Sequence, residues 1–220
     1  MRFHNRTHAG VALIAPLRRV LGPGDDAIIL ALARGGVVVA APVADVVHLP
    51  LDVLVVRKLG LPEHPEVAMG AVARGQVLLD YEVIETAGLD RALIDHVIAR
   101  EMRELERRER VYRRGTPPPH IQNRGVILID DGLATGSTMI SAARAVRLLE
   151  PARIVLAIPV ASEQALCRLQ PMVDAVVCLV TPRPFHAVGE SYRDFSPVGD
   201  AEVVRLLQQS MQRHRAGQPA

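Results

Sequence analysis

Short apolar runs alternate along the chain with longer segments in which apolar residues recur at helical spacing. The runs have the length of strands, and their almost continuous apolar character is typical of strands buried on both faces of a parallel sheet. They cover residues 27–32, 51–56, 126–129, 153–160 and 175–180. Because strands that alternate with helices form parallel sheets through right-handed crossovers, the pattern predicts an α/β fold with a central, mostly parallel sheet flanked by helices.

The helical spacing of apolar residues, together with residues typical of helix ends, predicts helices in the segments between these strands. The predicted helices cover residues 3–21, 37–46, 90–114, 137–149, 162–169 and 202–212. Residues 60–74 differ, because prolines, glycines and mixed charge are typical of a long functional loop. Short strands at 69–73 and 77–83 are expected to pair as a β-ribbon. We therefore expect one domain over residues 1–220, with its core at about 27–180.

The strand at 126–129 ends in two adjacent carboxylates, Asp130 and Asp131. A loop of small residues, 132–136, then leads into a helix. Small residues let backbone N–H groups approach an anion, and the unpaired N–H groups of a helix start favour negative charge. Residues 133–138 are therefore predicted to hold a phosphate, while the two carboxylates accept hydrogen bonds from the hydroxyls of a ribose 5-phosphate.

Other interpretations of this motif fit less well. A P-loop requires a lysine after its second glycine, but Gly136 is followed by Ser137. A dinucleotide-binding turn requires the spacing G-x-G-x-x-G, which residues 132–136 lack. A purely structural acidic strand end followed by a helix cap stays open as an alternative.

Basic residues follow two other strands. Arg34 precedes Gly35 and Gly36 after the strand at 27–32, and Arg57 with Lys58 follows the strand at 51–56. Carboxyl ends of parallel strands meet at one edge of the sheet, so these cations are expected to face the acidic pair. A tight turn with an exposed arginine, and an exposed basic pair at a strand end, are the structural alternatives.

The stretch ILIDDGLATGST resembles the motif with which type I phosphoribosyltransferases bind 5-phosphoribosyl 1-pyrophosphate (PRPP). The segments RGGV, RKLG and YRDFS are also similar to those of stand-alone bacterial phosphoribosyltransferase-like proteins of uncertain acceptor. The resemblance implies a type I phosphoribosyltransferase-like α/β fold. It also implies transfer of the phosphoribosyl group to a nitrogenous, nucleobase-like acceptor, with release of pyrophosphate.

Carried onto this chain, the resemblance assigns a role to each group of residues. The ribose hydroxyls would bind Asp130 and Asp131, near the reacting carbon. The pyrophosphate would bind Arg34, Gly35, Gly36, Arg57 and Lys58, and the 5-phosphate Ala134, Thr135, Gly136, Ser137 and Thr138. Asp130, Asp131, Arg57 and Lys58 would be the catalytic residues. Mg²⁺ would be bound mainly by PRPP oxygens, without a direct protein ligand, and Asp130 and Asp131 would reach it through water.

Two parts of the chain would determine the acceptor. The resemblance places a mobile flap at about 58–84, with Glu63, His64 and Arg74 as candidates to close over the site. It places a hood in the N-terminal helix and residues 181–198. There Phe185, Tyr192 and Phe195 would hold the acceptor base, or alternatively fill the core.

Composition and charge argue against several other kinds of function. The formal net charge of +2 and the pI near 8.8 do not by themselves indicate nucleic-acid binding. The seven arginines from Arg100 to Arg114 alternate with glutamates, which favours a solvated helix, although a regulator that binds PRPP and RNA or protein stays an alternative. Two cysteines form no zinc site, and no apolar run can span a bilayer. We expect a cytoplasmic homodimer.

Overall fold

The computed structural model describes residues 2–22, 24–64 and 67–216 of the chain. Its strands are β1 (Ala27–Leu32), β2 (Leu51–Leu54), β3 (Val56–Gly60), β4 (Ala68–Ala73), β5 (Gln76–Leu79), β6 (Gly125–Ile129), β7 (Arg153–Val160) and β8 (Ala175–Val180). Its helices are α1 (Arg6–Arg18), α2 (Gly35–Val47), α3 (Tyr81–Thr86), α4 (Arg91–Arg113), α5 (Ser137–Arg147), α6 (Glu163–Leu169) and α7 (Asp200–Ala216). Short 3-10 turns lie at Gln170–Met172 and Val188–Ser191.

Five strands form a fully parallel sheet in the order β2-β1-β6-β7-β8. All six residues of β1 are buried, because side chains alternate between the two faces and both faces are covered. Ile29 and Ala31 pack in the cluster that holds α1, α2 and α7, whereas Ile28 and Leu30 pack in the cluster that holds α5 and α6. The predicted α/β fold with helices on both faces of a parallel sheet is confirmed.

A second, antiparallel sheet of three strands, β3-β4-β5, lies in the segment predicted to form the flap, and we call it the flap sheet. The predicted strand over 51–56 was wrong in being continuous: β2 ends at Leu54, and β3 begins at Val56 in the other sheet. Val55 between them is only 2% exposed, so the apolar pattern continues without interruption while the chain changes sheets. No polar residue marks the change, and periodicity therefore missed it.

Helix boundaries follow capping chemistry. The side chain of Asp90 accepts a hydrogen bond from the Leu93 N–H at 2.7 Å and so begins α4, close to the predicted 90–114. Asp80 caps α3 in the same way, so residues 81–83 are helical and not part of the strand predicted over 77–83. None of the helices within the described residues is both long and apolar enough to cross a membrane.

We call residues 2–18 and 181–198 the hood, after the prediction that the N-terminal helix and residues 181–198 form one. The backbone of Phe3 joins its two parts, because the Phe3 N–H donates to the Ser191 carbonyl at 2.8 Å and the Phe3 carbonyl accepts from the Arg193 N–H at 2.9 Å. The side chains of Phe3 and Tyr192 are buried together with Val160 of β7. The hood is thereby packed onto the end of the central sheet.

Candidate active site

The carboxyl ends of β1 and β6 lie side by side at the point where the strand order reverses. From β1 the chain continues outward to β2, and from β6 it continues to β7 on the other side. Such a switch point leaves a crevice beyond the strand ends, where ligands bind in open α/β sheets. A cleft of about 460 Å³ opens there. Its polar lining consists of Arg6, Arg34, Arg108, Asp130, Asp131 and Thr138.

The acidic pair lies at the centre of this cleft. The Asp131 N–H donates to Oδ1 of Asp130 at 2.8 Å, which holds the first carboxylate against the end of β6. Burial and the charge of the adjacent Asp131 raise the pKa of Asp130 well above its usual value of 3.8. A ligand that brings hydroxyl donors or positive charge would stabilise the ionised form of this carboxylate.

Arg6 approaches the acidic pair from α1, and the sequence did not single it out. Its Nε donates to Oδ2 of Asp131 at 2.7 Å, and its guanidinium carbon lies 3.8 Å from the centre of the Phe195 ring. The Arg6 and Asp131 side chains are only 11% and 17% exposed. No local signal reveals this contact, because the partners are 125 positions apart in the sequence.

Two glycines bring the loop after β1 against the acidic pair. A Cβ at Gly35 would lie 1.9 Å from Oδ2 of Asp131, and one at Gly36 would lie 2.7 Å from the Ile129 carbonyl oxygen. Both distances are too short for any side chain, so only glycine permits this approach. Arg34, immediately before them, lines the same cleft, and the Ala33–Arg34 peptide bond is cis. The structure therefore places the predicted Arg34-Gly35-Gly36 loop beside the acidic pair.

The predicted phosphate loop borders a second cleft of about 240 Å³, next to the first. Lining residues include Lys58, Asp130, Val188 and all five predicted loop residues, from Ala134 to Thr138. Gly136, with φ +74°, turns the chain into α5 and offers no side chain to cap the first-turn N–H groups. The Ser162 hydroxyl donates to the Ala134 carbonyl at 2.5 Å and holds the loop against the start of α6.

Arg57 and Lys58 point in different directions, because consecutive residues of a strand face opposite sides. Lys58 lines the phosphate-loop cleft. Arg57 instead donates to Oε2 of Glu101 on α4, from Nε at 2.9 Å and from the terminal nitrogen Nη2 at 2.5 Å. The structure brings Lys58 to the other predicted site residues and commits the Arg57 guanidinium to a side chain of α4.

The hood aromatics pack mainly against one another. Tyr192 stacks on Phe195 with ring centres 4.9 Å apart, and its hydroxyl donates to the Asp131 carbonyl at 2.5 Å. Burial, with the nearby Asp131 charge, raises the pKa of Tyr192, so the hydroxyl stays a donor. Phe185 packs beside the same cluster. None of Phe185, Tyr192 and Phe195 lies among the lining residues of the two clefts, which favours the core-filling alternative.

The three flap candidates lie at different ends of the flap. Glu63 and His64 lie exposed between β3 and β4, next to Pro65 and Glu66, which are outside the described residues. Arg74 lies in the β4–β5 turn, where one of its terminal nitrogens donates to the Pro119 carbonyl at 2.6 Å and another lies 3.8 Å from Asp52. Arg74 is thus placed at the base of the flap sheet, beside the amino-terminal part of β2.

Arg108 is a second cleft residue that the sequence did not single out. It extends from α4 to the same cleft as Arg34. On the same helix, the Tyr112 hydroxyl donates to Oδ1 of Asp200 at 2.8 Å. A terminal nitrogen of Arg34 lies 3.8 Å from that oxygen. Burial and the Asp200 contact raise the pKa of Tyr112 to about 12, which keeps its hydroxyl protonated as a donor.

The carboxylates of the cleft limit how a metal ion would bind. Within the described parts of the chain, no group of three or more His, Cys, Asp or Glu residues is arranged to hold a metal. Asp130 and Asp131 offer oxygen ligands of the kind that Mg²⁺ prefers, but Arg6 already engages Asp131. These residues fit an ion carried mainly by the oxygens of a bound phosphate ligand.

Similarity to known proteins identifies the family of the chain. Residues 9–180 match the family model described as phosphoribosyl transferase domain. A Mycobacterium tuberculosis protein named "Putative phosphoribosyl transferase" is 40% identical over 206 residues, which are 93% of this chain and 46% of that protein, so the chain spans about half its length. The crystal structure of the protein TT1426 from Thermus thermophilus is 40% identical, covers 95% of this chain and 99% of its own, and superposes with a TM-score of 0.84.

Proposed function

Because the chain belongs to the phosphoribosyl transferase family, we propose that its cleft transfers the 5-phosphoribosyl group of PRPP to a nitrogenous, nucleobase-like acceptor. One observation supports this assignment most. Three segments far apart in the sequence, the Arg34-Gly35-Gly36 loop, the acidic pair and the phosphate loop, converge at a single edge of the sheet. PRPP carries its pyrophosphate, its ribose hydroxyls and its 5-phosphate in this order along one molecule. It therefore requires three such sites side by side.

In the proposed reaction, the acceptor nitrogen bonds to C1 of the ribose while the bond from C1 to the pyrophosphate oxygen breaks. The pyrophosphate leaves with both electrons of that bond, so negative charge grows on it and positive charge grows on the sugar. Arg34 and Lys58 would stabilise the first charge, and the carboxylates of Asp130 and Asp131 the second. The protein acts by positioning and electrostatics, without a covalent intermediate.

The acidic pair offers the ribose two different acceptors. One carboxylate oxygen of Asp131 accepts a hydrogen bond from Arg6. Among the described residues, Asp130 accepts a hydrogen bond only from a backbone N–H. Ribose hydroxyls would supply the donors that Asp130 lacks and so lower its raised pKa. Binding of PRPP is therefore proposed to release a proton when the pH lies between the two pKa values.

Magnesium would accompany the substrate. Mg²⁺ bound to the PRPP oxygens would neutralise part of the pyrophosphate charge, which favours departure of the leaving group. Asp130 and Asp131 would contact the ion through water, since Mg²⁺ keeps several waters of its own. That the protein forms a homodimer also stays a prediction.

The test is pyrophosphate release from PRPP with Mg²⁺ across a panel of purine, pyrimidine and pyridine acceptors. The wild type is compared with the variant Asp130→Asn/Asp131→Asn, which keeps the side-chain shapes but removes both charges. We expect release that depends on one acceptor and is lost in the variant. Binding of PRPP without release for any acceptor would favour a regulator, and absence of PRPP binding would overturn the proposed function.

A further inference from the structure

Helix α4 contributes one residue, Arg108, to the lining of the cleft, although its alternating arginines and glutamates are typical of a solvated helix. Most of its described arginines are paired with carboxylates. Arg100 donates to Glu101, which also accepts from Arg57 of β3. Arg113 donates to Asp52. Arg108 differs from these, because it is the α4 arginine that lines the cleft, opposite the Arg34 loop.

Glu104 holds Arg108 by one edge only. The Arg108 Nε donates to Oε1 of Glu104 at 2.8 Å, one turn earlier on the same helix. Arg107 takes both oxygens of the same carboxylate, from Nε at 2.8 Å to Oε2 and from a terminal nitrogen at 3.0 Å to Oε1. The two terminal nitrogens of Arg108 donate no hydrogen bond within the described residues, and its side chain is 38% exposed.

Arg34 is oriented from the opposite side of the cleft by a similar arrangement. Asp200, the first residue of α7, lies 3.8 Å from Arg34 and accepts the Tyr112 hydroxyl of α4. Arg34 and Arg108 both line the cleft, and the positive charge of each opposes the rise in the pKa of Tyr112. Two cations from separate elements therefore border the same part of the cleft.

We propose that Arg108 binds the pyrophosphate group of PRPP together with Arg34, and that Glu104 positions Arg108 for this contact. The inference rests on the proposed function. Its chemical basis is the planar guanidinium, whose free edge can donate two parallel hydrogen bonds to phosphate oxygens. Arg57, which the sequence assigned to this role, is committed to Glu101 by two hydrogen bonds. Arg108 supplies the cation in its place.

The choice of pyrophosphate over the acceptor follows from position. Arg108 lines the cleft with Arg34, Gly35, Leu54 and Val56, which belong to the loop after β1 and to the junction of β2 and β3. The 5-phosphate loop and Lys58 lie in the neighbouring cleft, where Arg108 is not among the lining residues. A ligand with its 5-phosphate in that loop therefore presents its other, charged end to Arg108.

The experiment compares Arg108→Gln with Arg107→Gln by calorimetric titration. Arg107 is the matched control, because it is the next residue, pairs with the same Glu104 and does not line the cleft. The probes are PRPP, inorganic pyrophosphate and ribose 5-phosphate, each with Mg²⁺. Arg108→Gln should weaken PRPP and pyrophosphate roughly tenfold to a hundredfold, the range for a lost hydrogen bond between charged groups. Ribose 5-phosphate should bind unchanged, and Arg107→Gln should change none of the three affinities beyond about twofold.

A second variant separates a binding role from a folding defect. Arg108→Lys keeps the charge but loses the planar fork, so it should recover part of the pyrophosphate affinity. Equal thermal midpoints for the variants and the wild type would show intact folding. PRPP affinity unchanged in Arg108→Gln, or equal losses for PRPP and ribose 5-phosphate, would overturn the role of Arg108. Wild-type protein that binds no PRPP would instead overturn the proposed function and this inference with it.

Discussion

Asp130 is a carboxylate whose ionisation is expected to reduce the stability of the fold that holds it. Its side chain is half-buried at the end of β6 beside Asp131, and its pKa is raised by partial burial and by the neighbouring charge. For a group of this kind, the stability contribution is fully present below the unfolded pKa of 3.8 and is lost as the pH rises through the folded pKa. Ionisation of Asp130 in the folded protein is therefore a cost, which bound substrate would offset.

We predict that Asp130→Asn unfolds at a higher temperature than the wild type at neutral pH. The gain should be about 1 kcal/mol, as is common when a strained functional group is removed. It should shrink toward zero as the pH falls below 3.8, where Asp130 is protonated in both states. Thermal melts followed by circular dichroism across this pH range measure the effect.

The neighbouring carboxylate supplies the control for this experiment. Asp131 is ion-paired with Arg6 at 2.7 Å, so Asp131→Asn should destabilise the protein at neutral pH. Opposite signs for two adjacent and chemically equal substitutions would link stability to the specific partners of each residue. An Asp130→Asn variant less stable than the wild type at neutral pH would contradict the prediction.

Residue-level prediction from the sequence reaches as far as the chemistry is local. Asp130, Asp131 and the loop to Thr138 are contiguous, so strand, acidic turn and helix start could be recognised together, and the structure places them around two adjoining clefts. Arg6 and Arg108 were missed because each reaches the cleft only through tertiary packing. Gly35 was assigned to an anion loop, but its steric need to admit Asp131 required coordinates.

At the β2–β3 junction, hydrophobic periodicity predicts an extended, buried chain but not the change from one sheet to the other. Residues 51–56 form one apolar run, yet the central sheet ends at Leu54 and the flap sheet begins at Val56. Burial continues across the junction, so the pattern carried no signal of the change. As a result, Arg57 and Lys58, predicted to follow a strand, lie inside β3 and face opposite sides.

The contact between Arg57 and Glu101 ties the flap sheet to α4, and we predict that Arg57→Gln lowers the free energy of unfolding by about 2 kcal/mol. The Glu101 side chain is only 8% exposed, so removal of Arg57 leaves a buried carboxylate with fewer partners. Urea denaturation measures the loss. The PRPP affinity of the folded variant should stay within about twofold of the wild type.

The exposed pair on the same helix serves as the comparison. Arg91 and Asp95 form an ion pair with side chains 86% and 54% exposed, so Arg91→Gln should change stability by less than about 0.5 kcal/mol. In Arg57→Gln/Glu101→Gln, part of the lost stability should return, because no buried unpaired charge remains and Arg100, which loses Glu101, is 59% exposed. A drop in PRPP affinity for Arg57→Gln, without one for Glu101→Gln, would instead show that Arg57 contacts the substrate.

At the scale of the whole molecule, the hood and the central sheet share one packed interior. Phe3 and Tyr192 are 0% and 1% exposed and lie in one cluster with Val160 of β7. The same segments deliver Arg6 and the Tyr192 hydroxyl to Asp131. The cleft at this edge of the sheet therefore depends on two segments that are distant in sequence.

This packing leads to a prediction for Phe3→Ala. Loss of a fully buried phenylalanine should lower the free energy of unfolding by about 3 kcal/mol. If hood and sheet form one cooperative unit, the whole transition should shift, and circular dichroism and tyrosine fluorescence should report the same midpoint. Val11→Ala on α1, at a position 52% exposed, should leave the midpoint almost unchanged. An early transition seen by fluorescence alone would mean that the hood unfolds separately, and Arg6 would then leave Asp131 before the sheet itself melts.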